Sequence, residues 1–444
     1  MPAIRDRGNR RGAPHTSDVE QSGKISELVD HLFRQQAGKM VAVLCRVLGF
    51  RNIETAEEIM QDTLLAALQV WSFRGAPPNP GGWLMVAARN RAIDYIRRER
   101  SRLKVAEDLR QKLNSEWTLS STIDQEFQES RISDHLLRMI FTCCDPRLAL
   151  EDQVALTLKF PCGFSTAEIG AALLCEEEAV RKRLYRARKR LNTDRETLQM
   201  PADTQLGVRL DAVLQVVYLI FSEGYKSAQG ESLIRFELCE EAIRLASLLI
   251  EHPPCTQPKT HALLALLCFQ AARLVARTYE DGSICQLEEQ DRSSWDAGLI
   301  SRGFHFLDLS ASGTELTRYH IEAAIASCHC AASSFEETDW RMIVALYEKL
   351  VSIYDSPVVR LNRAIAVGFA DGAAAALGEL ERIKNGGELA RYYLLYASLG
   401  EFRLRSGDYS AAKLDFETAA RMCRSAKEKE FLRRRIDRCE VQSA

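Results

Sequence analysis

Apolar residues recur at helical spacing along nearly all of this 444-residue chain, and no run alternates in the way a half-buried strand would. The pattern predicts an all-α protein. Residues Ile25–Leu48 predict one or two helices. Glu54–Val70 predicts an amphipathic helix with Ile59, Leu64, Leu65 and Leu68 on its apolar side and Glu54, Glu57, Glu58 and Asp62 on its polar side. The stretch Gly75–Gly82, GAPPNPGG, reads as a break, because proline removes a backbone donor and glycine loses the most freedom on ordering. Helicity resumes over Trp83–Arg102, which ends in Arg97, Arg98, Arg100 and Arg102. Residues 103–130 are polar, include Asp124, Glu126 and Glu129, and read as a linker.

The most distinctive segment is Phe164–Leu191, FSTAEIGAALLCEEEAVRKRLYRARKRL, which predicts two helices joined by a tight turn. In the second helix Val180, Leu184 and Ala187 fall on one stripe, while Ile169, Ala172 and Leu173 of the first, Thr166–Leu174, are spaced to pack against it. The opposite face carries Glu178, Lys182, Tyr185, Arg186 and Lys189, with Arg181 on its flank. Seven of the ten residues from Arg181 to Arg190 are Lys or Arg, a density suited to phosphate contacts. This is the build of a DNA-reading helix-turn-helix. Leu174 stands where such turns usually place glycine, at a cost of ~1 kcal/mol if it takes positive φ. Glu176, Glu177 and Glu178 suit a helix N-terminus but repel phosphate.

Charge sharpens the division. The net charge is −2, yet residues 1–200 carry 31 basic and 27 acidic side chains and the remainder carries 28 and 34. Met1–Lys24 is Arg-rich without an apolar core, and reads as a disordered cytoplasmic tail rather than a secretory signal. No stretch approaches the ~20 apolar residues of a membrane span. The thirteen cysteines include no C-x-x-C pair and sit mostly among aliphatic residues, as reduced buried thiols would. Cys328-His329-Cys330 is the nearest approach to a metal cluster, but neighbours on a helix point about 100° apart, so no metal is expected.

Aromatic residues Trp71, Phe73, Trp83 and Tyr95 bracket the Pro/Gly break, and aromatics interleaved with arginine form single-strand-binding surfaces; for Trp83 the core is the expected place. Taken in order, ETAEEIMQDTLLAAL, NPGGWLMVAARNRAIDYIRRER and the helix-turn-helix ending YRARKRL resemble the two conserved domains of bacterial extracytoplasmic-function sigma factors, members of the sigma-70 family. The resemblance covers roughly residues 25–195, and its specificity lies in the agreement of three separate motifs. It implies that Glu54, Glu57, Glu58 and Asp62 dock on the clamp coiled coil of core RNA polymerase, the helix-turn-helix domain also meeting the flap. It implies that Trp71, Phe73, Asn79, Arg89, Asn90, Arg91, Arg97 and Arg98 hold the melted minus-ten element of promoter DNA. It also implies that Glu178, Arg181, Lys182, Tyr185, Arg186 and Lys189 read the minus-thirty-five element. A stand-alone helix-turn-helix regulator is the alternative, and it would bind duplex DNA tightly without polymerase.

About 240 further residues are not part of a minimal sigma factor. Helices are expected at Ala212–Phe221, Arg235–Leu249, His261–Ala276, Arg318–Ala332 and Trp340–Ile353. Gly407-x-Tyr409-x-x-Ala412 with Phe416 and Ala419 matches the tetratricopeptide pattern, and a weaker match runs from Leu361 through Asn362, Ala364 and Ala366 to an Asp371-Gly372 break. The expected layout is a basic tail (1–24), a region 2 domain (25–102), a linker (103–130), a region 4 domain (131–195) and a helical tetratricopeptide-like regulatory domain (205–444), which either contacts and covers the sigma domains in cis or is a partner-binding scaffold that activity requires. Ser222-Glu223-Gly224-Tyr225 and Glu288–Arg292 invite acid–base chemistry but read better as ion-pair networks. With no P-loop, nucleotide-binding glycine motif or nucleophile elbow, neither cofactor nor catalysis is expected.

Overall fold

The computed structural model describes residues 36–102, 123–173, 175–191, 203–226, 234–279, 283–423 and 426–443. The Arg-rich tail, most of the expected linker and Leu174 lie outside them. Among the described residues the regular structure is helical, apart from one isolated bridge between Thr278 and Ile284. The described residues up to 171 and from 175 to 191 form one compact unit, and those from Asp203 onward make up the body of another.

The first unit contains α1 (36–48), α2 (Ile53–Arg74), α3 (Pro80–Arg102), α4 (Glu129–Cys143), α5 (Leu150–Lys159), α6 (Thr166–Ala172) and α7 (Glu177–Leu191). In α2 the buried positions are Ile53, Ala56, Ile59, Thr63, Ala67 and Trp71, steps of three and four that keep one stripe against the core. Leu65 and Leu68 were expected on that stripe and are instead 55% and 39% exposed. Leu65 lies two residues, and so about 200°, beyond Thr63 around the helix axis.

Helix α3 starts three residues earlier than the Pro/Gly content suggested. Pro80 takes the first helical position, where its missing donor costs nothing, and Asn79 Oδ1 accepts from the Gly82 amide at 2.9 Å. The last part of the expected linker also belongs to the packed unit: Ile123 is buried, and Phe127 packs against the Met40, Ala67 and Trp71 cluster. Gly38 on α1 meets residues 160–161 so closely that a methyl group there would lie 2.0 Å from the Pro161 carbonyl oxygen.

The second unit is a succession of helices in which neighbours pack side by side: α8 (Asp203–Lys226), α9 (Ile234–Ile250), α10 (Pro258–Ala272), α11 (Ala297–Ser310), α12 (Arg318–Ala331), α13 (Trp340–Ile353), α14 (Pro357–Asp371), α15 (Ala373–Gly386), α16 (Tyr393–Arg405), α17 (Tyr409–Met422) and α18 (Ala426–Ser443). The expected break at Asp371-Gly372 is the junction of α14 and α15, with Gly372 at φ 98°. Ala412, Phe416 and Ala419 of the tetratricopeptide pattern are buried. Close packing rests on glycine: a methyl on Gly368 would sit 2.2 Å from the Phe402 ring, which fills the space between α14 and α16.

Candidate nucleic-acid interface

The two helices of the helix-turn-helix are fixed to each other by side chains at their starts. Ser165 and Glu168 form a reciprocal cap on α6, with the Ser165 amide donating to Glu168 Oε2 at 2.7 Å and the Glu168 amide donating to Ser165 Oγ at 3.1 Å. The Thr166 hydroxyl donates to Glu177 Oε1 at 2.7 Å, joining the first turn of α6 to that of α7. This bond, together with Arg181, holds the Glu177 carboxyl below its usual range. Gly170 makes the close approach possible, since a methyl there would meet the Cys175 carbonyl oxygen at 2.8 Å. The glycine that the turn needs is therefore inside α6, a position the motif alone did not single out.

Val180, Leu184 and Ala187 are buried as expected, joined by Leu191. Around the rest of α7, Glu178, Arg181, Lys182, Tyr185, Arg186 and Lys189 are all exposed, Tyr185 by 61%. The glutamates of the first turn pair one turn ahead, Glu177 with Arg181 at 2.6 Å and Glu178 with Lys182 at 3.7 Å. Their negative charge is thus partly balanced within the helix before any phosphate approaches.

On α2 the four acidic residues do not share one environment. Glu58 and Asp62 are exposed and lie on a stripe that continues into Leu65 and Gln69, with Leu68 beside it. Glu57 pairs with Lys159 of α5, both side chains only 16% exposed. Glu54 pairs with Arg188 of α7 at 2.9 Å. These pairs span more than a hundred residues of sequence, so no local signal announces them.

The residues around the Pro/Gly segment separate in the same way. Trp71 is 2% exposed and packs edge-on to Trp83 at 5.6 Å, so its ring belongs to the core and is not open to a stacking base. The side chain of Phe73 lies outside the described residues. Asn79 is exposed and caps α3. Arg89 is tied to Asp124 and donates to Asn90 Oδ1 at 3.0 Å, and Arg91 is half-buried. Along the outer side of α3, Val86, Asn90, Asp94 and Arg97 form an exposed stripe with Arg98 adjacent, a mixed rather than uniformly basic surface.

In the second unit the polar patches serve structure. Arg277 stacks 3.8 Å over Tyr225 and donates to the Tyr225 carbonyl at 2.6 Å. Asp291 caps a short turn, and Arg292 donates to the carbonyls of His329 and Ala332 at the end of α12. All thirteen cysteines are free thiols, and burial pushes those of Cys45 and Cys143 upward. Among the described residues no group of three His, Cys, Asp or Glu is placed to hold a metal, and no helix is long and apolar enough to cross a membrane.

Three segments of the chain match known protein families. Residues 32–102 match Sigma-70 region 2, and residues 138–191 match Sigma-70, region 4. Residues 209–311 match a family of unknown function, DUF6596. An uncharacterized protein of Rhizobium meliloti (strain 1021) is 33% identical over 396 residues, spanning 89% of this chain and 92% of its own length.

Proposed function

The chain belongs to the sigma-70 family, carrying regions 2 and 4 ahead of a C-terminal extension, and from that premise we propose how its helices divide the work of promoter recognition. As a sigma factor it interacts with RNA polymerase and promoter DNA. In this reading the exposed stripe of Glu58, Asp62 and Leu65 on α2 docks on the clamp coiled coil of core polymerase, carboxylates setting orientation toward a basic partner and leucine supplying apolar area. The largely exposed residues Arg74–Asn79 and the outer side of α3 receive the melted minus-ten strand, with Asn90, Arg97 and Arg98 the positions in reach of it. The exposed face of α7 enters the major groove at the minus-thirty-five element, and its domain meets the flap. In this reading the protein works in the cytoplasm, beside its polymerase.

The observation that carries the reading is α7 itself: four apolar side chains are buried along one side, and all six candidate DNA contacts are exposed around the rest. The test is run-off transcription with core polymerase and DNA from upstream of the protein's own gene. Replacing Arg181 and Lys182 by alanine is expected to remove promoter-specific transcript while leaving core binding intact.

The second unit controls when initiation occurs. It carries 34 acidic against 28 basic side chains beyond residue 200, and tethering holds it near the basic module at an effective concentration of order millimolar. Transcription by the full chain compared with residues 1–200 reads the sign of that control. A stronger signal from the truncation identifies a brake in cis, and a signal from the full chain alone identifies a working part of initiation.

A further inference from the structure

The second unit holds a cavity of about 520 Å³ that no contact described above uses. Its walls come from the turn at 286–289, the segment at 335–336 ahead of α13, the start of α13, the end of α14 and the end of α16. Phe335, Trp340 and Phe369, all half-buried, form an aromatic wall, with Trp340 and Phe369 stacked at 4.5 Å and Phe335 packed at 5.2 Å from each. Glu288, Glu289 and Glu336 supply carboxylates, and Arg405 is the single cation of the lining.

Arg405 shows what this lining accepts. Its guanidinium lies 5.0 Å from the centre of the Phe369 ring while it pairs with Glu288 and, at 3.2 Å, with Glu401. That is a cation held jointly by an aromatic face and carboxylates. The other two carboxylates differ: Glu289 is held by hydrogen bonds, and Glu336 feels Arg292 through space. Glu289 is oriented by the Gln286 amide at 3.1 Å and the Tyr279 hydroxyl at 3.3 Å. Bonds from its own amide and Ser334, with a smaller contribution from Arg292, keep the Glu336 carboxyl below the usual range. An anion would be repelled by this surplus of negative charge, and a neutral apolar molecule would use the rings but leave the carboxylates unmatched.

We propose that this cavity is a binding site for a small organic cation with a flat apolar body, which lies against Trp340 and Phe335 and directs its charge to Glu289 and Glu336. The volume falls within the range of about 300–1,000 Å³ typical of small-molecule sites. The test is calorimetric titration of the full chain with benzyltrimethylammonium, with benzyl alcohol as the neutral comparator and benzenesulfonate as the anionic one. The cation is expected to bind at least about tenfold more tightly than either comparator. A Glu289→Gln/Glu336→Gln double variant is expected to lose roughly tenfold in affinity for the cation with an unchanged melting temperature. Absence of binding at millimolar cation, equal affinity for benzyl alcohol, or an unchanged affinity in the folded double variant would overturn the proposal. Neither polymerase nor promoter enters the measurement, so its outcome is independent of the promoter contacts assigned to the first unit.

Discussion

Lys159 on α5 forms an ion pair with Glu57 on α2, and each side chain is only 16% exposed. The pair joins the two modules of the first unit, with Arg188–Glu54 beside it at 2.9 Å. It withdraws Glu57 from the exposed acidic face of α2, whereas Glu58 and Asp62 face outward and Glu54, though paired with Arg188, remains 72% exposed. Replacing Lys159 by Met leaves a largely buried carboxylate without its cation, and a loss of about 1–2 kcal/mol in urea unfolding is expected, between the values for exposed and buried pairs. Adding Glu57→Gln should recover most of that loss, and strict additivity of the two substitutions would show that the pair contributes nothing.

Gly170 gives a sharper steric prediction. A methyl at this position has only the Cys175 backbone oxygen to displace, and that oxygen belongs to the turn that sets the angle between α6 and α7. Gly170→Ala is expected to cost about 1–3 kcal/mol and to weaken promoter binding with it. Wild-type stability in thermal unfolding would show that the turn has room the close contact denies.

Charge on α7 is measurable through salt. If Arg181, Lys182, Arg186 and Lys189 neutralise phosphates, each alanine variant should reduce the slope of log affinity against log salt by about one, measured on polymerase bearing the variant at a promoter. Stability should change by no more than about 0.5 kcal/mol, because these side chains are exposed. An unchanged slope for all four would remove this face from the DNA.

His329 in the second unit predicts a pH dependence. Burial, reinforced by Arg273 and Arg292, lowers its pKa from the ordinary 6.5 to about 3. The folded protein keeps the ring neutral, whereas the unfolded chain takes up a proton below about pH 6.5. The stabilisation is therefore complete above pH 6.5 and is lost as pH falls from 6.5 toward 3, by up to about 1.4 kcal/mol per unit. His329→Phe, which keeps an aromatic ring against Trp340 at the 5.3 Å contact, should flatten urea stability between pH 7 and pH 5. A parallel decline in both proteins would contradict the assignment.

The helices were legible wherever a buried stripe repeats at short range. Val180, Leu184 and Ala187 face inward as their spacing implies, and Trp340–Ile353 was placed end for end. What escaped the sequence depends on distant partners or on which leucines find the core. Leu65 has the same composition signal as Leu64, yet only the position of α3 and α1 around α2 leaves it in water. Trp71 looked like a stacking platform because aromatics and arginines alternate nearby, but Trp83 and Met40 claim its ring. The Pro/Gly segment hid a helix start, because proline breaks a helix interior and favours a first turn. Only a folded chain shows that Asn79 caps it.

The most direct test of the account is the polymerase contact through α2. Purified core polymerase should bind the full chain and produce a promoter-specific run-off transcript, and Glu58→Arg/Asp62→Arg should abolish both with no change in melting temperature, because both side chains are exposed. A folded double variant that binds core and transcribes like the wild-type chain would contradict the assignment of this stripe as the docking surface.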